Sequence, residues 1–311
     1  MSEVLTVKNE FYIERSGERL HCIEWRPEGE VRAVLQIVHG MVEYIDRYDA
    51  FATYLCERGI AVVGHDHPGH GMTAQREEDL GFIRRGDGDM LLVDCILAVT
   101  EYIKENYKGK RCFIFGHSMG SFAVRKYITA HSELVDGALI VGTGTPHAAV
   151  LSAGRALAGI ICKLFGERHR SRLLTNMSFS GYNSRFPKEE GVHAWISGDR
   201  EVVKRYDSDP FCTYIFTAAG FCALYDTLLF LAKRTDSEKI RKNLPMLIAS
   251  GAVDPFGSYG KWPEEYADHC KSIGISDVTL RLFEGQRHEI INEKDKEKVF
   301  EELYCWIADR I

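Results

Sequence analysis

The stretch Arg111-Cys-Phe-Ile-Phe-Gly116-His117-Ser118-Met119-Gly120-Ser121-Phe122 decides the fold. A short apolar run ends in Gly-x-Ser-x-Gly and a helical pattern follows at once. The order strand, sharp turn, helix is that of a nucleophile elbow. Gly116 and Gly120, two residues to either side of the serine, bring no Cβ against the neighbouring strand and helix. Ser118 is thereby lifted out of the sheet edge. The helix behind it aims its first N–H groups at the same spot, which favours negative charge developing there. The bare pattern also arises by chance in loops; the buried strand before it and the helix after it argue for the elbow.

Working outward, residues 6–13 and 20–25 read as two strands around the Ser16-Gly17 turn, an antiparallel hairpin. Residues 33–38 are nearly all apolar, as expected of a strand covered on both faces, and run into His39-Gly40-Met41. Residues 49–58 read as a helix with Phe51, Tyr54 and Leu55 on one face and Gly59 at its end. A buried strand at 60–63, a helix at 88–107, the elbow strand and a strand at 137–141 complete the first half. From 147 to 239 the pattern is helical and irregular. Alternation then resumes with a strand at 245–250, a helix at 263–273, a strand at 278–283 and a helix at 294–309. The expected fold is α/β, a mainly parallel doubly wound sheet with an N-terminal antiparallel hairpin. Residues 1–146 and 240–311 form its core domain, and 147–239 form a helical cap inserted over the carboxyl edge of the sheet.

The composition is that of an ordinary globular chain of 311 residues, 45 % hydrophobic and 27 % charged. A net charge of −6 without a Lys/Arg run argues against nucleic acid as a partner. The first ten residues carry no apolar signal core, and no uninterrupted apolar run is long enough to suggest a spanning helix. Nine scattered cysteines without CxxC pairs read as reduced, buried thiols, so a cytoplasmic location is expected.

A serine hydroxyl needs a base within hydrogen-bond reach, and the base needs an orienting group. After an elbow the partners follow in the order acid, histidine. Asp254, in Ser250-Gly-Ala-Val-Asp-Pro255, and His288, in Phe283-Glu-Gly-Gln-Arg-His-Glu289, each lie just past a strand, where open parallel sheets place their ligands. Ser118 is thus the candidate nucleophile, His288 the base and Asp254 its orienter. Asp207, Asp209 and Asp226 are rival acids, placed in the cap away from any strand end. The oxyanion needs two N–H donors: one from Met119, after the nucleophile, and one from the early loop, for which Met41 is the choice. His65-Asp-His-Pro-Gly-His70 imitates a zinc-hydrolase ligand run. Gly69 stands where an aspartate is needed and no second ligand set matches it, so a buried hydrogen-bonded loop is preferred to a metal site.

These residues carry a likeness. His39-Gly-Met-Val-Glu-Tyr-Ile-Asp-Arg-Tyr48, Asp66-His-Pro-Gly-His-Gly71, Gly116-His-Ser-Met-Gly120, Ser250-Gly-Ala-Val-Asp-Pro255 and His288-Glu289 span most of the chain outside the cap. Together they resemble the alpha/beta-hydrolase superfamily, and within it the monoacylglycerol lipase and lysophospholipase group of the serine aminopeptidase type. The resemblance implies the triad Ser118, Asp254 and His288, oxyanion donors at Met41 and Met119, and no cofactor. Tyr44 departs from the family, which more often has His, and Ser121 stands where a further Gly is common. The expected reaction is cleavage of a small-molecule acyl ester, with an aminopeptidase or amidase, or a non-catalytic binding member, as alternatives. An aminopeptidase would need an anionic residue for a free amino terminus, with Glu189, Glu190 and Asp199 as candidates. The apolar segment 148–165, broken by Arg155 and Lys163, is either a lid helix that rests transiently on a membrane or micelle, or a helix packed on the core. The cap aromatics Phe179, Tyr182, Phe186, Trp195, Phe211, Tyr214, Phe216 and Phe221 either line an apolar pocket or form the cap's own core.

Overall fold

The computed structural model describes residues 6–311. Half of the opening segment read for an export signal, residues 1–5, lies outside them. β1 (Thr6–Arg15) and β2 (Glu18–Pro27) form the expected hairpin, antiparallel from Thr6↔Pro27 to Arg15↔Glu18. β2 also pairs antiparallel with β4 (Ile60–His65), and from there the sheet is parallel throughout. With β3 (Ala33–Val38), β5 (Arg111–His117), β6 (Gly137–Val141), β7 (Met246–Gly251) and β8 (Val278–Phe283), the eight strands lie in the order β1-β2-β4-β3-β5-β6-β7-β8. β3, β4, β6 and β7 are buried at every residue, which is why each reads as a continuous apolar run rather than an alternation.

Helices cover both faces. α1 (Asp49–Cys56) and α9 (Lys296–Ala308) pack on one side through Phe51, Leu55, Phe300 and Leu303. α2 (Gly88–Asn106) and α3 (Met119–His131) pack on the other through Ile96, Val99, Val124 and Tyr127. Each observed element overlaps its expected position; α1 stops at Cys56 rather than at residue 58, and a 3-10 turn at Ile45–Tyr48 precedes it.

Between β6 and β7 the chain adds no strand to the sheet. It forms α4 (Ala148–Phe165), α5 (Arg172–Phe179), α6 (Arg200–Ser208) and α7 (Ala218–Ala232), with one isolated bridge between Arg170 and Thr217. α4 packs on α7 through Leu151, Gly154, Ala158 and Cys162, and Arg155 bonds Asp226 at 2.7 Å. Only 28 % of α4 is buried, and Val150, Ile160, Leu164 and Phe165 are exposed. With a mean hydropathy of 1.6 over 18 residues, α4 is long and apolar enough to cross a membrane by length and composition. Arg155 and Lys163 interrupt its apolar run, so it contains no uninterrupted apolar stretch of that length. α8 (Lys261–Ser272) connects β7 to β8. All nine cysteines are free thiols; eight are buried, but Cys305 is exposed on α9, against the expectation that every one is buried.

Candidate active site

The turn between β5 and α3 is as tight as its sequence requires. Ser118 sits at φ 51°, ψ −119°, a strained conformation for a residue with a side chain. A Cβ on Gly116 would lie 2.6 Å from the Gly120 carbonyl oxygen, and one on Gly120 would lie 2.1 Å from the Val38 carbonyl oxygen. Both glycines are therefore fixed by close backbone approach. The Ser121 hydroxyl donates to the Ser118 carbonyl at 2.6 Å, so the serine found in place of the family's further glycine ties the helix's first turn to the bend.

Asp254 and His288 meet at the carboxyl ends of β7 and β8. His288 Nδ1 lies 2.9 Å from Asp254 Oδ2, and both residues are buried. Asp254 Oδ1 accepts the Phe256 N–H at 2.8 Å, and Oδ2 also receives the Ser250 hydroxyl at 3.4 Å. A carboxylate only accepts, so Nδ1 carries the proton and Nε2 is left as the basic nitrogen. Ser118 and His288 line one cavity of about 760 Å³ together with Met41, Met119, Phe256 and Trp262. The Ser118 hydroxyl makes no hydrogen bond to the His288 ring. The backbone N–H groups of Met41 and Met119 donate to no other protein group among the described residues. Val42, next to Met41, adopts φ 56°, a second strained residue at the site, and its carbonyl is held by the Tyr206 hydroxyl at 3.0 Å.

The rival acids are committed elsewhere. Asp207 pairs with His193, Asp209 accepts the Tyr44 hydroxyl at 2.7 Å, and Asp226 pairs with Arg155. Tyr44, the departure from the family's histidine, thus ties the early loop to the inserted segment and packs against Phe211. Of the aromatics in that segment, Phe179, Tyr182, Trp195, Tyr214 and Phe216 line the cavity. Phe221 is core, and Phe186 lies under the Arg287 guanidinium.

Sequence reasoning missed a buried charged network beneath the early loop. Glu43 accepts from the Gly40 N–H, from His117 Nδ1 at 3.0 Å, from the Tyr48 hydroxyl at 3.1 Å and from Arg47 at 3.0 Å. Arg47 also grips Glu289 with two bonds of 2.8 and 2.7 Å. Burial favours the neutral acid at Glu43, but the His117 hydrogen bond and the charges of His117 and Arg47 outweigh it and hold the carboxyl below its usual range. Burial likewise works against a charged His117, and Glu43 raises the imidazole above its ordinary value in spite of it. The two His117 ring nitrogens face acceptors, Glu43 at 3.0 Å and the His288 carbonyl at 3.3 Å, an arrangement that suits the charged imidazole. The signal available in sequence was Glu43 and Arg47 four residues apart, within a segment otherwise destined for burial.

The histidine run is also buried. His67 Nε2 bonds the His39 carbonyl at 3.0 Å, the His67 N–H donates to His39 Nε2 at 3.0 Å, and His70 Nδ1 bonds the Pro68 carbonyl at 3.0 Å. Asp66 accepts the N–H groups of Ile45 and Met72 and pairs with His21. Both ring nitrogens of His65, Nδ1 of His67 and Nε2 of His70 have no protein partner, so the loop is less fully bonded than expected. No group of three or more His, Cys, Asp or Glu among the described residues is arranged to hold a metal ion.

With this geometry in view, comparison with known proteins is direct. The family model described as Serine aminopeptidase, S33 matches residues 29–295. The chain belongs to this family. The match runs from just past the hairpin to the residue before α9. Monoglyceride lipase of Mus musculus is 25 % identical over 303 residues, covering 96 % of this chain and 90 % of that protein. The monoglyceride lipase homolog of Monkeypox virus is 26 % identical over 313 residues, covering 95 % and 96 %. A thermostable carboxyl esterase from Bacillus coagulans, solved in complex with glycerol, superposes with a TM-score of 0.89 at 23 % identity, covering 98 % of this chain and 99 % of that one. The last likeness shows the alpha/beta-hydrolase fold.

Proposed function

We propose that this protein is a serine hydrolase that cleaves carboxylic esters, monoacylglycerols, lysophospholipids or similar acyl esters, through an acyl-enzyme. The observation that carries the reading is the His288–Asp254 bond, with His288 lining a cavity shared with Ser118. Ser118 attacks the ester carbonyl and its proton passes to His288 Nε2, while Asp254 holds the imidazole and stabilises its charged form. The Met41 and Met119 N–H groups receive the oxyanion. Collapse expels the alcohol, which takes the proton from His288. Water then attacks the acyl-enzyme by the same route and frees the acid.

Three observations favour an acyl ester over a peptide. The cavity, at about 760 Å³, has the size of a drug-sized ligand's site, and Leu151, Leu224, Leu228, Phe122 and Phe256 give it apolar walls. The carboxylates that line it, Glu43 and Glu289, are both engaged by Arg47, which leaves none for a free amino terminus. Of the other candidates, Glu190 pairs with Arg287 and Asp199 caps α6. The relatives named monoglyceride lipase point the same way. We read residues 147–239 as a cap that rests on a membrane or micelle through the exposed apolar side chains of α4 and α5, and nine free thiols fit a reducing cytoplasm.

A fluorophosphonate probe tests the nucleophile: wild type is labelled and Ser118→Ala is not, and a labelled mutant overturns the assignment. Monoacylglycerols, nitrophenyl esters and aminoacyl amides offered side by side test the substrate class; turnover of the amides above the esters reverses it.

A further inference from the structure

The residue before the base, Arg287, reaches the cap with its guanidinium. Arg287 Nη1 donates to the Ala194 carbonyl at 2.6 Å and the Ser197 carbonyl at 3.3 Å, and Nη2 pairs with Glu190 at 2.7 Å. Its guanidinium lies 4.1 Å from the centre of the Phe186 ring. The backbone repeats the connection. The His288 N–H donates to the Trp195 carbonyl at 3.3 Å and the Glu289 N–H to the Ile196 carbonyl at 2.8 Å. Glu293 binds the Arg287 and Gly198 N–H groups at 2.9 Å and the Ser197 hydroxyl at 3.1 Å. The Trp195 ring packs on the His288 ring at 4.9 Å. From the core side, the His288 ring is hydrogen-bonded by Asp254 alone among the described residues. The base is therefore held between the sheet and the cap, and a planar fork with several fixed acceptors is the strongest single tie on the cap side.

We propose that Arg287 is a positioning residue for His288, setting the approach of the imidazole to Ser118 through cap residues 186–198. The proposal rests on the reading of His288 as the base. Losing the tie leaves the chemical groups intact and lets the ring drift, so it slows the chemical step without weakening substrate binding. A purely structural role would instead lower the number of folded molecules and leave the turnover of each one unchanged.

The test uses the full chain with a short soluble nitrophenyl ester, and competent sites are counted by fluorophosphonate titration. Arg287→Met is expected to lower kcat per titrated site by about tenfold to a hundredfold, the scale of a misplaced reacting group, with KM within about twofold. Arg287→Lys keeps a cation for Glu190 and is expected to recover part of that loss. Unchanged kcat per site in Arg287→Met, or a loss confined to KM, overturns the proposal. If Arg287→Met does not fold, Glu190→Gln removes only the ion pair and is expected to lower kcat several-fold, about one charge-assisted contact, with KM unchanged; unaltered kcat then overturns it. A wild type that the probe does not label defeats the underlying hydrolase reading and this proposal with it. A labelled wild type with a fully active Arg287→Met defeats this proposal alone.

Discussion

Ser118 combines a strained backbone with two glycines that have no room for a methyl group, and it lines one cavity with His288, the imidazole of a buried imidazole–carboxylate pair. Gly120→Ala would drive a Cβ to 2.1 Å from the Val38 carbonyl oxygen. It is expected to cost about 2 kcal/mol or more of stability, seen as a lower urea midpoint, and to abolish turnover. Asp254→Asn keeps the shape but offers the ring an amide, which favours the wrong tautomer. Its kcat is expected to fall by about four orders of magnitude with the melting temperature little changed, and near-normal turnover would place the acid elsewhere. The placement of Ser118, Asp254 and His288 just past strand ends was legible because each lies inside a recognisable local pattern. The Glu43–His117–Arg47–Glu289 network was not. Its members come from three distant stretches, and a charged side chain in sequence reads as surface unless its partner is known.

Among the elements, α4 has one face on α7 and the other in solvent, the latter carrying Ile160, Leu164 and Phe165. Replacing Leu164 and Phe165 by Ser is expected to slow hydrolysis of substrate held in phospholipid vesicles while leaving a soluble short-chain ester unaffected. Equal rates on vesicles would remove the membrane role. The parallel strands were readable to within two residues, since a strand buried on both faces has a composition that little else shares. Residues 147–239 were readable only as helical. Periodicity tells which face of a helix is apolar but not whether a neighbour, a ligand or a lipid covers it, so the aromatics of residues 179–221 divided between cavity wall and core in a way no spacing revealed.

For the molecule as a whole, the buried histidines set an acid limit. Burial lowers His65 from 6.5 to about 3 and His70 to about 4. As pH falls below 6.5 the unfolded chain takes up protons on these rings and the native one does not, so stability is full above 6.5 and declines toward the folded values. His117 acts in the opposite direction, its raised value adding stability that is fully present below 6.5 and lost as pH climbs through that value. Because neither His65 nitrogen has a partner, His65→Leu is expected to gain about 2 kcal/mol over wild type at pH 5 relative to pH 7 in urea titrations. A pH-independent difference would contradict it. The order of the strands has a further bearing, on synthesis. The elbow closes β5, whereas Asp254 and His288 follow β7 and β8, which the ribosome delivers only after the whole of α4 to α7, at roughly 5–20 residues per second. On the proposed mechanism, a nascent or truncated chain thus carries its serine for seconds without a proton acceptor, and no hydrolysis begins before synthesis is complete.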